Sequence, residues 1–208
     1  TASKKEKDQL LENFIKVFVK LHELDISIVD KKLLTYSTSY FIEKEINDIQ
    51  KLVNKNNFEY FTIIIDWLIK EKVNIIGTHL SIIHRDYHPW NVIIDNNKHL
   101  YVIDFLSGVG DYRFDLAWMC TLMERSGFKD FSDHAFKKYK ELKNTDINNF
   151  EYFKVLSTLR WLVNVIISLK TSENLNETKN KEFEIFIYPL IENGIKLIKE
   201  ITKIPITI

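Results

Sequence analysis

Between Ile83 and Phe105 the chain gathers residue types that can manage a metal ion and a proton in one place. His84-Arg85-Asp86-Tyr87-His88-Pro89-Trp90-Asn91 sets a carboxylate ahead of a carboxamide, and Ile103-Asp104-Phe105 supplies a second carboxylate after a short interval. Asp86 can accept a proton from a hydroxyl and align that hydroxyl for attack, so it is the candidate catalytic base. Asn91 offers a neutral carbonyl oxygen and Asp104 a charged one, both suited to a hard magnesium ion that keeps some of its waters. The set suits phosphoryl transfer, where the attacking hydroxyl must be oriented while charged phosphates are held beside a metal. His84 is read as a brace acting through a ring nitrogen, not as a group that transfers phosphate.

The H-x-D-x-x-x-x-N spacing is that of a kinase catalytic loop. By residue frequencies alone it would arise on the order of once in fifty chains of this length, so its surroundings must carry the reading. They do so through a hairpin. Val92-Ile93-Ile94 and Leu100-Tyr101-Val102-Ile103 are β-prone, and Asp95-Asn96-Asn97-Lys98-His99 between them favours a turn. The returning strand then delivers Asp104 beside the place where Asn91 left.

The elements around the loop read mostly as helices. Apolar residues recur at helical spacing over about 5–24, from Thr38 or Ser39 through Val53, over 58–72, 112–124, 131–142, 146–169 and 181–203. Pro189 marks a kink or boundary in the last segment, and Gly108 and Gly110 read as turn residues before a helix that starts at Asp111. Gly127, Asn144-Thr145 and the polar run from Thr171 to Lys181 read as connections. The expected fold class is mainly α with a small β-hairpin.

The bulk numbers fit one compact domain of 208 residues, 45% hydrophobic and 28% charged. Lys plus Arg equals Asp plus Glu at 29 each, so no net field recruits nucleic acid or an anionic membrane, and no basic aromatic platform is evident. The Lys4-Lys5-Glu6-Lys7 cluster reads as a solvated helix start. Cys120, the single cysteine, sits in an apolar stretch and reads as a packed residue. The runs 62–69 and 161–167 are interrupted by polar residues and read as buried helices, so no membrane partner is expected and the cytoplasm is the default location.

A longer stretch carries a family resemblance. The 84–91 octet, then Val102-Ile103-Asp104-Phe105, then Gly108-Val109-Gly110-Asp111-Tyr112-Arg113-Phe114-Asp115-Leu116-Ala117, closely resembles the aminoglycoside phosphotransferase and choline kinase superfamily, which has a protein-kinase-like fold. His88-Pro89 and the Gly-x-Gly-Asp-x-x-x-Asp-Leu-Ala run favour that small-molecule branch over protein kinases. The resemblance implies Asp86 as catalytic residue, Asn91 and Asp104 as magnesium ligands, and Asp111 and Asp115 as structural support of the site alongside His84. His88 and Trp90 are candidates for shaping the acceptor side. Two positions depart from pattern: Arg85 stands where the small-molecule family often has glycine, and Leu106 where protein kinases have the glycine of Asp-Phe-Gly.

Complete members of the superfamily begin with a β lobe that carries a phosphate-covering loop and a lysine for the nucleotide. The resemblance therefore implies that residues 1–208 form the C-terminal, acceptor-binding lobe of a longer phosphotransferase, with little activity alone. The expected parent enzyme uses ATP or GTP and magnesium to phosphorylate a hydroxyl on a small molecule. The competing readings are a binding or regulatory domain that keeps the kinase-like body, and a protein kinase, favoured only by His84-Arg85-Asp86.

Overall fold

The computed structural model describes residues 3–28, 36–105, 108–172 and 177–206. Leu106 lies outside them. The chain forms two compact units, the first from Thr1–Thr38 and Gly77–Asn148, the second from Ser39–Ile76 and Asn149–Ile208. The site expected from the sequence falls wholly in the first.

In the first unit, α1 (Lys4–His22) opens with Ser3 as N-cap, whose hydroxyl accepts from the Glu6 N–H while the Glu6 carboxylate accepts from the Ser3 N–H. Its apolar positions Phe14, Ile15, Phe18 and Val19 are buried, and the helix packs on β1 (Ser81–Ile83) and α5 (Lys129–Lys143). The hairpin forms as the β-prone segments require: β2 (Val92–Ile94) runs antiparallel to β3 (Leu100–Val102), with Ile93 opposite Tyr101. Asp95 closes its turn by accepting from the Asn97 and His99 N–H groups, and Lys98 adopts φ 65°.

Gly108 and Gly110 depart from expectation. They form β4 (Gly108–Gly110), paired antiparallel to β1 with Val109 opposite Ile82. A Cβ on Gly108 would stand 3.2 Å from Arg85 Nε, so the bare backbone there makes room for the neighbouring loop. α4 (Tyr112–Arg125) follows, capped by the Asp111 side chain, and packs along α5. Cys120 is buried within it.

The Asp111 carboxylate does more than cap. It accepts from the Arg113 N–H and guanidinium, with Arg113 Nη2 at 2.7 Å, and from the Thr38 and Thr78 hydroxyls at 3.0 and 3.1 Å. Arg113 Nη1 in turn donates to the Asn148 carbonyl. Thr38, Thr78 and Asn148 lie at or next to the three places where the chain leaves or enters the first unit, so one buried ion pair secures all three.

The second unit is helical: most of α2 (Thr38–Asn56), then α3 (Thr62–Glu71), α6 (Phe150–Ser172) and α7 (Glu177–Thr202). Two boundaries differ from the sequence reading. α7 starts earlier than expected and carries Pro189 inside it without ending, and α6 reaches Ser172, so the connection between them narrows to residues 173–176, outside the described residues. By length and composition α6 could cross a membrane over Phe150–Thr171, but 67% of that stretch is buried, where it packs on α3 and α7. Its apolarity is that of a core helix. Tyr152 ties it to α3 by donating to the Leu68 carbonyl at 3.1 Å.

Phe18, fully buried, fills the centre of the first unit, whereas Ile185 on α7 is 76% exposed. Phe18→Ala is expected to cost about 3–5 kcal/mol and Ile185→Ala less than about 0.5 kcal/mol, measured by urea unfolding.

Candidate active site

The loop between β1 and β2 is pinned from two sides. From α1, the Phe18 ring stacks on Tyr87 at 4.0 Å and 4°, and the Tyr87 hydroxyl donates to the Phe14 carbonyl at 2.7 Å. From α4, the Asp115 carboxylate accepts the His84 N–H on Oδ2 and the Arg85 N–H on Oδ1, each at 2.7 Å. Arg85 sits at φ 71°, a left-handed backbone costly to any residue with a Cβ, which is the physical reason glycine would serve there. Two short charge-assisted bonds hold the loop in that conformation. Behind them, His22 Nε2 lies 3.1 Å from Asp115 Oδ2, and His22 Nδ1 lies 2.6 Å from the Tyr139 hydroxyl.

The His84 ring bridges two segments of the candidate site. Its Nδ1 faces the Asp86 N–H at 3.3 Å and so accepts, which leaves the proton on Nε2 to be donated to the Ile103 carbonyl at 3.1 Å. The ring thus links the loop to the residue just before Asp104. Burial lowers the His84 pKa, against the opposing pull of Asp115 and the Ile103 carbonyl.

This framework joins Asp86 to Asn91 and sets Asp104 one residue beyond the strand partner of Asn91. Asn91, 8% exposed, donates from Nδ2 to the Asp86 carbonyl at 2.9 Å and to Asp86 Oδ2 at 3.2 Å. The Ile103 N–H donates to the Asn91 carbonyl at 2.9 Å, so the hairpin sets Asp104 next in line to Asn91. Asp104 has φ 54°, is exposed, and makes no hydrogen bond or ion pair among the described residues. Asn91 Oδ1 likewise takes no hydrogen bond there. By their chemistry, a carboxamide oxygen and a carboxylate are the groups that would hold a magnesium ion drawing its other ligands from phosphates and water. Among the described residues no group of three or more His, Cys, Asp or Glu forms an all-protein metal cage.

The Asp86 carboxylate is half-buried. Burial is the largest single influence and pushes its pKa up, but the His88 ring and the Trp118 and Asn91 N–H groups together outweigh it and hold the carboxyl below its ordinary value. Oδ1 receives the Trp118 indole N–H at 3.0 Å and has His88 Nε2 at 3.4 Å. His88 meets Trp90 edge to face at 5.5 Å, and Trp90, 59% exposed, meets Phe128 at 6.2 Å. His88 therefore stands against the Asp86 carboxylate, and Trp90 stands against His88.

Sequence reasoning passed over three residues that hold this site: His22, Tyr87 and Trp118. Tyr87 stands inside the octet, and its ring could have been assigned to the core. Trp118 stands three residues after Asp115 on one helix, a spacing that puts both side chains on one face. His22 gives no local signal, because its partners lie far off in sequence.

A loop with this spacing, closed by a hairpin that returns an aspartate beside it and clamped by an aspartate on the following helix, defines a kinase-like phosphotransferase lobe. Residues 1–146 match the Phosphotransferase enzyme family (APH), and the chain belongs to that family. Among solved structures it is similar to a protein of Ralstonia eutropha JMP134 described as a candidate aminoglycoside phosphotransferase, with 16% identity and a TM-score of 0.74. The match covers 96% of this chain and 67% of the other. No curated protein sequence matches the chain.

The two shifted groups set a pH dependence of stability. A histidine whose folded pKa is lowered binds fewer protons folded than unfolded, so stability falls as pH drops below the ordinary histidine value of about 6.5. A carboxyl whose folded pKa is lowered does the same below its ordinary value of about 3.9. Stability measured by urea unfolding should therefore decline from pH 7 to pH 5, and the decline should shrink in His84→Gln. An equal decline in that variant would remove His84 as its source.

Proposed function

We propose that this chain is the acceptor-side lobe of a phosphotransferase that moves the γ-phosphoryl group of ATP or GTP to a hydroxyl on a small molecule. The observation that carries the reading is the Asp86–Asn91–Asp104 constellation: an ionised carboxylate beside two oxygens free to bind a metal, all set by one loop and one hairpin. Asp86 orients the acceptor hydroxyl and takes its proton as the oxygen attacks phosphorus. Asn91 and Asp104 hold magnesium, which when bound neutralises phosphate charge and orients the triphosphate. The Asn91 carboxamide serves twice, with Nδ2 on Asp86 and Oδ1 toward the metal, and so fixes the distance between base and metal.

The nucleotide-covering loop and its lysine belong, in this reading, to a β lobe on another part of the parent protein, and the enzyme acts on a soluble substrate in the cytoplasm. The chain spans 67% of the length of the Ralstonia protein. Small-molecule acceptors are favoured over protein substrates by His88-Pro89 and the Gly-x-Gly-Asp-x-x-x-Asp-Leu-Ala run, and the similar Ralstonia protein is described as a candidate aminoglycoside phosphotransferase.

The test is to express the protein with its native upstream region and follow phosphate transfer to a panel of hydroxylated metabolites and to peptides. Metabolite turnover should fall by roughly a thousandfold in Asp86→Ala, and Asn91→Ala or Asp104→Ala should raise the magnesium concentration needed for half-maximal rate. Unchanged turnover in Asp86→Ala would remove the base. Binding of nucleotide or metabolite with no transfer would favour a regulatory module, and transfer to peptides alone a protein kinase.

A further inference from the structure

The Asp86 carboxylate has two oxygens in different surroundings, and the difference assigns them different work. Oδ1 accepts the Trp118 indole N–H at 3.0 Å and has the His88 ring nitrogen Nε2 3.4 Å away. Among the described residues, Oδ2 has only the Asn91 amide, at 3.2 Å. An ionised carboxylate has about four lone-pair sites, and Oδ1, with the indole and the His88 ring against it, is the more crowded oxygen, so Oδ2 keeps room for a hydroxyl. Among the described residues, Trp118 is the one donor to this carboxylate that comes from outside the loop. It lies on α4, three residues after Asp115, and a helix places those two side chains on one face.

α4 therefore grips the loop at two successive points with opposite chemistry. Asp115 accepts the backbone N–H groups of His84 and Arg85, and Trp118 donates to the side chain of the very next residue. The backbone clamp fixes where Cα of Asp86 lies, but leaves the carboxylate free to rotate about χ1 and χ2. The indole removes that freedom. A rigid bicyclic ring, packed beside Phe114 at 6.3 Å, loses little entropy in delivering its N–H, unlike a serine or lysine in the same role.

We propose that Trp118 is a positioning residue for the phosphotransfer reaction: its indole N–H fixes Asp86 Oδ1, so that Oδ2 is the oxygen presented to the acceptor hydroxyl. The proposal rests on the reading of Asp86 as base, and it extends that reading to a residue on another element. Without the N–H, the carboxylate rotates among orientations of which few meet the hydroxyl, so the loss falls on the rate of the chemical step and little on nucleotide binding.

Two measurements test it, and they fail separately from the phosphotransferase reading. In a ¹⁵N-labelled chain, the four tryptophans give four indole N–H signals, and the Trp118 signal is the one missing in Trp118→Phe. In Asp86→Ala, which removes the acceptor, that signal should move by several tenths of a ppm and lose protection from hydrogen exchange, while the Trp67 and Trp161 signals stay in place. An unmoved Trp118 signal overturns the proposal whatever the activity. The second measurement follows phosphate release from magnesium ATP by the protein with its native upstream region, water serving as acceptor. Trp118→Phe should lower kcat by roughly tenfold to a hundredfold with KM for ATP within about twofold. If Asp86→Ala abolishes turnover and Trp118→Phe leaves kcat unchanged, the inference fails and the base stands; if Asp86→Ala itself has no effect, the base reading fails.

Discussion

Everything in the candidate site hangs on the Asp115 carboxylate. It is a fully buried anion that accepts two backbone N–H groups from the loop and faces a histidine from α1. An unpaired charge in such a place would cost several kcal/mol, so the loop amides are as necessary to Asp115 as Asp115 is to them. That mutual need holds Arg85 in a left-handed conformation a residue with a side chain otherwise avoids, and that turn aims Asp86 outward. Tyr87 then anchors the next residue inward, beneath α1. The loop alternates between residues that hold and residues that act.

The same helix start organises the frame around the loop. Asp111, four residues before Asp115, joins Arg113, Thr38, Thr78 and the Asn148 carbonyl, and so fixes the first unit where the chain enters and leaves it. Both aspartates come from the Gly-x-Gly-Asp-x-x-x-Asp-Leu-Ala run, yet they serve different purposes. One secures the chain crossings and the other secures the catalytic loop. Breaking either buried network is a change worth about 3–5 kcal/mol, large against the 5–15 kcal/mol that a domain typically has.

Much of this was legible in the residues. The hairpin was legible from β-prone pairs and a turn rich in Asn, and the octet and second aspartate pointed to the candidate site through carboxylates at fixed spacing. Helix existence was legible from period, as in α1 and α4, while ends were not, as with α7 beginning before Lys181 and running through Pro189. Gly108 and Gly110 misled, since two glycines read as a turn, and only the pairing with Ser81–Ile83 and the closeness of Arg85 show them as a strand. His22, Tyr87 and Trp118 were missed because their work is done across elements. Partners such as His22 and Asp115, or Trp118 and Asp86, meet only after the chain has folded, and no periodicity reports that meeting.

The clamp on the loop can be read most directly by amide hydrogen exchange. If Asp115 holds the loop, the His84 and Arg85 amides should exchange slowly in the unaltered chain and lose that protection by a factor of a hundred or so in Asp115→Asn, while amides within α5 keep theirs. Equal protection of the two loop amides in both proteins would contradict the account, for it would mean that something other than this carboxylate sets the conformation from which Asp86 acts.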